Sequence, residues 1–223
     1  MVNLQKDDGN RSLNITNGDY FNNYFLSKFG GEAIPLCEVM MDGETISGIY
    51  SDDFVRLRAS KIGVSIEEYR SKMQVFDALR FEPNRYTELC LWFGNDTFCQ
   101  MNLLMLLAYL EQIGFQNKVT LNLIDDETFE VLAKDIEVSL GSYKQLYEKI
   151  LVSKSGNIAS GVISQRAVDL YFDYHSGEGR LARLVKDNSD KDDITIISLL
   201  LENSNEYGLS DIQAQRLIEK YKV

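Results

Sequence analysis

The chain predicts an α/β protein. Residues 10–125 read as a three-layer, Rossmann-like domain with a mostly parallel sheet of about four strands, and residues 126–223 as an all-helical C-terminal region. Three observations predict this. Strand-length apolar runs alternate with helix-length amphipathic segments through the first half, as in a parallel sheet whose strands are joined by helices. The stretch 89–113, LCLWFGNDTFCQMNLLMLLAYLEQI, opens as a short apolar run, breaks at Gly94-Asn95-Asp96 and resumes as a long apolar helix. Beyond residue 124 the strand-length runs give way to helix-length segments separated by Gly, Ser or Asn.

Taken in order, residues 12–16 form the first strand and Asn17-Gly18-Asp19 the turn out of it. Residues 20–29 form a helix with Phe21, Tyr24, Phe25 and Phe29 on one face, capped by Asp19 and stopped by Gly30-Gly31. Residues 33–39 are a second strand with Glu38 near its end, followed by a loop over 40–50. Two helices are predicted over 52–62 and 65–79, the second opened by a Ser65/Glu68 capping box. Asn84 leads into a third strand at 88–93. The long helix starts near Thr97, with Thr97/Gln100 as its capping box, and is apolar nearly all round, so it needs cover on several sides. Residues 118–124 alternate as a fourth strand. Helices are then predicted over 125–132, 142–152, 164–175, 178–186, 193–203 and 210–222, the last with a Ser210/Gln213 capping box.

With a net charge of −11 and neither half basic, the chain lacks the electrostatic footprint of a nucleic-acid binder. No apolar run is long enough for a membrane span and the amino terminus has no apolar core of a signal peptide, so a cytoplasmic protein without a membrane partner is expected. The 3 cysteines at wide spacing argue against a disulfide framework, and with no CxxC pair and 1 histidine a zinc site of the usual type is not expected. Cys99, near a helix N-terminus, is the thiol placed for reactivity, although most such cysteines are packing residues. His175 has no nucleophile elbow to serve, and the acidic run 187–193 lacks the glycine and terminal glutamate of an EF-hand.

In a parallel sheet, ligands sit outside the carboxyl ends of the strands. Three such ends carry an acid: Asp19, Glu38 and Asp96. Together they would suit Mg²⁺, which prefers carboxylate oxygens and keeps waters for its substrate side. Asn17, Gly18 and Gln100 would supply neutral contacts, Arg58 would neutralise a substrate anion, and Trp92 would flank the ligand. Each has a plainer reading: Asp19 and Asp96 as turn or cap residues, Gln100 as part of a capping box, Glu38 as the partner of Arg56 or Arg58, and Trp92 as core. Neither turn matches GxGxxG or a P-loop.

LWFGNDTFCQMNLL, at residues 91–104, resembles a largely bacterial family known only as domain of unknown function 1835, whose members read L-W-F-x-x-D-x-F-x-Q before an apolar helix. Asn17-Gly18-Asp19 resembles that family's N-G-D-S segment. Glu38, Gly43 and Arg58 resemble its acid, glycine and arginine, and Gly208-Leu209-Ser210 resembles part of its helical extension. This chain has Ser12-Leu13-Asn14 where the family often has a histidine, and Tyr20 where it has the serine. The resemblance implies the fold and the placement of a site, and implies no reaction.

The functional expectation is a protein binding a small phosphorylated ligand, such as a nucleotide or other phosphate ester, or a Mg²⁺-assisted enzyme, at the C-terminal edge of the sheet. The alternative is an interaction or regulatory module in which the C-terminal helices meet a protein partner or a second copy of the chain.

Overall fold

In the computed structural model, which describes residues 11–81 and 85–222, Leu13 and Ile15 of β1 (Ser12–Asn17) face the main core. Residues 1–10, Pro83 and Asn84 lie outside the described residues. β1 is followed by α1 (Asp19–Phe29) and β2 (Ala33–Leu36), a parallel neighbour at the edge of the sheet. β2 is shorter than predicted. Its edge position tolerates Pro35, which lacks a backbone donor.

The chain then crosses through α2 (Asp52–Ile62), α3 (Ile66–Lys72) and α4 (Gln74–Phe81) to β3 (Glu88–Phe93), on the other side of β1. One helix was expected over 65–79; the structure has two, broken at Met73. α5 (Thr97–Gln112) leads to β4 (Lys118–Ile124), parallel to β3. The strand order is β2-β1-β3-β4, completed by a fifth strand, so the direction of winding reverses between β1 and β3.

That fifth strand, β5 (Val131–Glu137), corrects the predicted helix at 125–132 and carries the sheet past the predicted limit of 125. It runs antiparallel to β4 at the other edge. Asp125 makes the turn, accepting bonds from the Glu127 and Thr128 amides and the Thr128 hydroxyl. Phe129 then takes a left-handed φ of 59°, which a helix does not allow.

The remaining helices are α6 (Tyr143–Tyr147), continued by a π turn (Glu148–Val152), then α7 (Gln165–His175), α8 (Arg180–Asp187), α9 (Asp193–Glu202) and α10 (Asp211–Tyr221), with a 3-10 turn at Asn205–Tyr207. Ser210 and Gln213 form the predicted reciprocal cap. At Ser65 only the serine half forms. Two other predicted caps are corrected: Gly18 rather than Asp19 precedes α1, and Asp96 rather than Thr97 caps α5.

α5 is buried all round because the sheet covers one side and α6 and α7 the other. A single apolar cluster runs from Leu13 to Tyr221, so the sheet and the C-terminal helices share one core. A small second cluster, Phe21, Phe25 and Ile124, lies beneath α1 on the opposite face of the sheet. Among the described residues no helix is long and apolar enough to cross a membrane.

Candidate functional site

The carboxyl ends of β1, β3 and β4 bring five side chains together. β1 ends at Asn17, whose Nδ2 donates to Cys99 Sγ over 2.9 Å. The Asn17 oxygen accepts from Asn102 Nδ2 at 3.0 Å, and Asn102 also bonds the Glu38 carbonyl and the Met40 amide. Asn102 therefore ties α5 to the loops after both β1 and β2. β3 ends at Phe93, just before Gly94, and Asp96 caps α5 by accepting the Cys99 N–H at 2.7 Å. β4 ends at Ile124, placing Asp126 beside Gly94, where a Cβ would lie 1.9 Å from the Asp126 carboxylate. The missing side chain is what admits that carboxyl.

Asp126 Oδ1 lies 3.4 Å from Cys99 Sγ, and the ligand atoms of Asp96, Cys99 and Asp126 lie within 4.8 Å of one another. Asp126 is exposed as a residue, but desolvation of its carboxyl by the surrounding chain, followed by Asp96, pushes its pKa up to about 8. Asp126 therefore keeps its proton to higher pH than an ordinary carboxyl does. Burial, then the charges of Asp96 and Asp126, holds the Cys99 thiol well above its ordinary range. Cys99 is a neutral, buried linker rather than the reactive thiolate a helix N-terminus allows.

Above this cluster lies a cavity of about 500 Å³ whose walls include Asp96, Asp126, Ser164, Arg166, Leu170 and Glu206. The C-terminal helices form its far side. Thr97 Oγ1 donates to the Glu206 carbonyl at 3.0 Å, the Ser164 amide donates to Gln100 Oε1 at 3.1 Å, and Arg166 makes a two-point pair with Glu206. Gly208 packs so closely on Asp96 that a Cβ there would lie 2.4 Å from Oδ1.

The other predicted site residues are placed elsewhere or already engaged. Glu38 is buried and fully bonded. One oxygen accepts from Arg58 Nη2 at 2.7 Å and Nε at 3.3 Å, and from the Val39 amide; the other accepts from the Tyr69 hydroxyl. The remaining Arg58 donors bond the carbonyls of Val39, Asp42 and Glu44. This pair shapes the loop after β2 and leaves no donor for a ligand. Asp19 is exposed and paired with Lys72 at 2.7 Å, which lowers its pKa. Gln100 is a strap between α5 and α7. Trp92 bonds Asn14 through Nε1 at 2.9 Å and packs on Phe25 and Phe29. Gly18 has a φ of 83° and open space above it.

The predicted metal set of Asp19, Glu38 and Asp96 is therefore corrected. Among the described residues, the acid, cysteine and histidine groups whose ligand atoms converge within 4.8 Å are Asp96, Cys99 and Asp126. Asp126 was missed because residues 125–132 read as helix, although the rule that found Asp19 and Asp96, acids just past strand ends, applies equally to Asp125-Asp126. Asn102 and Gly208 carried no local signal. No protein-family model, no curated protein and no solved structure matches the chain.

Proposed function

We propose that the chain binds a small phosphorylated ligand, a nucleotide or other phosphate ester, in the 500 Å³ cavity at the sheet edge, either as a binding protein or as a Mg²⁺-assisted enzyme. The observation carrying this reading is the Asp96–Asp126 pair opening onto that cavity at the ends of β3 and β4. Two carboxyls held together against their mutual repulsion cost stability, which is characteristic of functional sites. Their oxygens suit Mg²⁺, which would take the place of the Asp126 proton and present the ligand's phosphate with positive charge instead of two acids. The cavity volume lies in the range of roughly 300–1,000 Å³ used by small-molecule sites. Asn17 and Cys99 position the pair from below.

The test is thermal unfolding with and without Mg²⁺ across nucleotides and sugar phosphates. A ligand at about a hundred times its dissociation constant adds roughly 2.7 kcal/mol to the native state, or about 5–10 °C in Tm for a chain of this size. The expected result is a Mg²⁺-dependent rise that is absent in Asp126→Asn. A flat panel, or a rise that survives in that variant, overturns the reading.

A further inference from the structure

A second cavity, of about 330 Å³, opens where the loop after β2 meets the C-terminal ends of α2, α7 and α10. It carries six charges: Asp42, Glu44, Lys61, Lys154, Arg216 and Lys220. Both acids are paired, Asp42 with Arg216 at 3.1 Å and Glu44 with Lys61 at 3.1 Å. Asp42 also accepts from the Tyr174 hydroxyl at 2.7 Å. Among the described residues, no carboxylate lies within ion-pairing distance of Lys154 or Lys220. The cavity thus holds two surplus positive charges on a chain whose net charge is −11.

The surroundings sharpen the imbalance. Lys154 follows the π turn with a left-handed φ of 49°, unusual for a lysine, and the backbone around it is fixed by the Ser155 and Gly156 amides donating to the Lys149 carbonyl. Burial lowers the pKa of Lys154; Glu44 at longer range raises it and Lys220 lowers it again. His175 lines the same cavity, and its buried Nε2 has no hydrogen-bond partner. Burial first, then Lys154 and Lys220, brings the His175 pKa down to about 4. Lys154, Lys220 and the unpartnered His175 Nε2 therefore share a recess whose two acids are each already paired with another cation. An anion would relieve that repulsion, and a recessed patch of one sign concentrates the field that attracts it.

We infer that this cavity is a binding site for a small phosphate-bearing anion, free phosphate or a phosphate monoester, held by Lys154 and Lys220 beside His175. Lysine ammonium groups serve phosphate as point charges, and the volume leaves room for a short organic part. The site is separate from the sheet-edge cavity. Arg166 at one end of α7 lines the first and His175 at the other end lines the second, about 14 Å apart along the helix at about 1.5 Å per residue.

The experiment is titration of the full chain with inorganic phosphate and with glycerol 3-phosphate, without divalent cations. Binding is followed by calorimetry and by the proton NMR signal of His175, which needs no assignment because the chain has 1 histidine. Saturable binding is expected, with the His175 midpoint moving upward as phosphate is added. Lys154→Met and Lys220→Met should each weaken binding on the order of tenfold or more, as expected for a lost charge-assisted hydrogen bond, and the double variant should abolish it. Lys134→Met on β5 and Asp126→Asn should leave it unchanged. Tighter binding of the ester than of phosphate would assign the organic part to the cavity; equal binding would assign phosphate alone. Absence of saturable binding, or its persistence in the double variant, overturns the inference, as does its loss in Asp126→Asn. Because no Mg²⁺ is present, failure here does not bear on the sheet-edge reading.

Discussion

Asn17 Nδ2 lies 2.9 Å from Cys99 Sγ, so the end of β1 and the first turn of α5 meet at a thiol. That thiol is buried and its pKa is raised, with Asp126 on its other side. Cys99 should therefore resist alkylation in the native protein and react once the chain is unfolded. Peptide mapping after brief iodoacetamide treatment with and without denaturant checks this. Rapid native labelling at Cys99 would show that the thiolate is accessible.

Asp126 makes stability depend on pH. Its folded pKa of about 8 lies above the ordinary value of 3.8, so between these limits the folded chain keeps a proton that the unfolded chain releases. Its contribution is greatest at low pH, declines as pH rises from about 4 towards 8 and levels off above. Tm measured across that window should carry this slope, and Asp126→Asn should flatten it and melt higher than the parent at pH 8. Parallel curves for the two proteins would refute the raised pKa of Asp126.

Arg58→Met should be strongly destabilising because it leaves Glu38 buried without its counter-charge and strips three loop carbonyls of a donor. Breaking such a pair costs about 3–5 kcal/mol, equivalent to a fall in Tm on the order of 10 °C. Arg56→Met, removing an exposed pair with Asp53, should leave stability essentially unchanged. Equal effects from the two variants in a denaturant titration would contradict the buried role.

Gly94→Ala and Gly208→Ala should separate site geometry from stability. A Cβ at Gly94 meets the Asp126 carboxylate, the movable end of a side chain, so the variant should fold but lose the Asp96 contact and the pH slope. At Gly208, a Cβ meets Asp96 and Phe98 where φ is 67°, so strain adds about 1 kcal/mol or more. Chemical denaturation gives the cost of each. A Gly94→Ala protein that keeps the parental pH slope would show that the carboxyl pair does not depend on that close approach.

Most of the sheet was legible because its signals are local. Leu89, Leu91 and Phe93 alternate on β3, and the unbroken apolar run of α5 required cover on two sides, which α6 and α7 supply together with the sheet. β5 was not legible: its burial alternates only weakly at an exposed edge, and its approach depends on Phe129 adopting a left-handed backbone. For the site, Asn17 and Asp96 were readable as polar residues at strand ends. Glu38 looked identical by that rule, and its burial against Arg58 and Tyr69 is decided by helices 20 and 31 residues away. Thr97 and Gln100 fit a capping box, but Asp96 one residue earlier competes successfully for the Cys99 amide, freeing Gln100 to reach α7.

The bond from Arg216 to Asp42 spans 174 residues of chain. Synthesis proceeds at roughly 5–20 residues per second, so Asp42 emerges on the order of ten seconds or more before its partner. During that interval the loop after β2 has Arg58 to shape it but lacks the wall that α7 and α10 later supply. The cavity of Lys154 and Lys220 thus cannot be complete until α10 has emerged, and a ribosome stalled before α10 would hold a sheet without it.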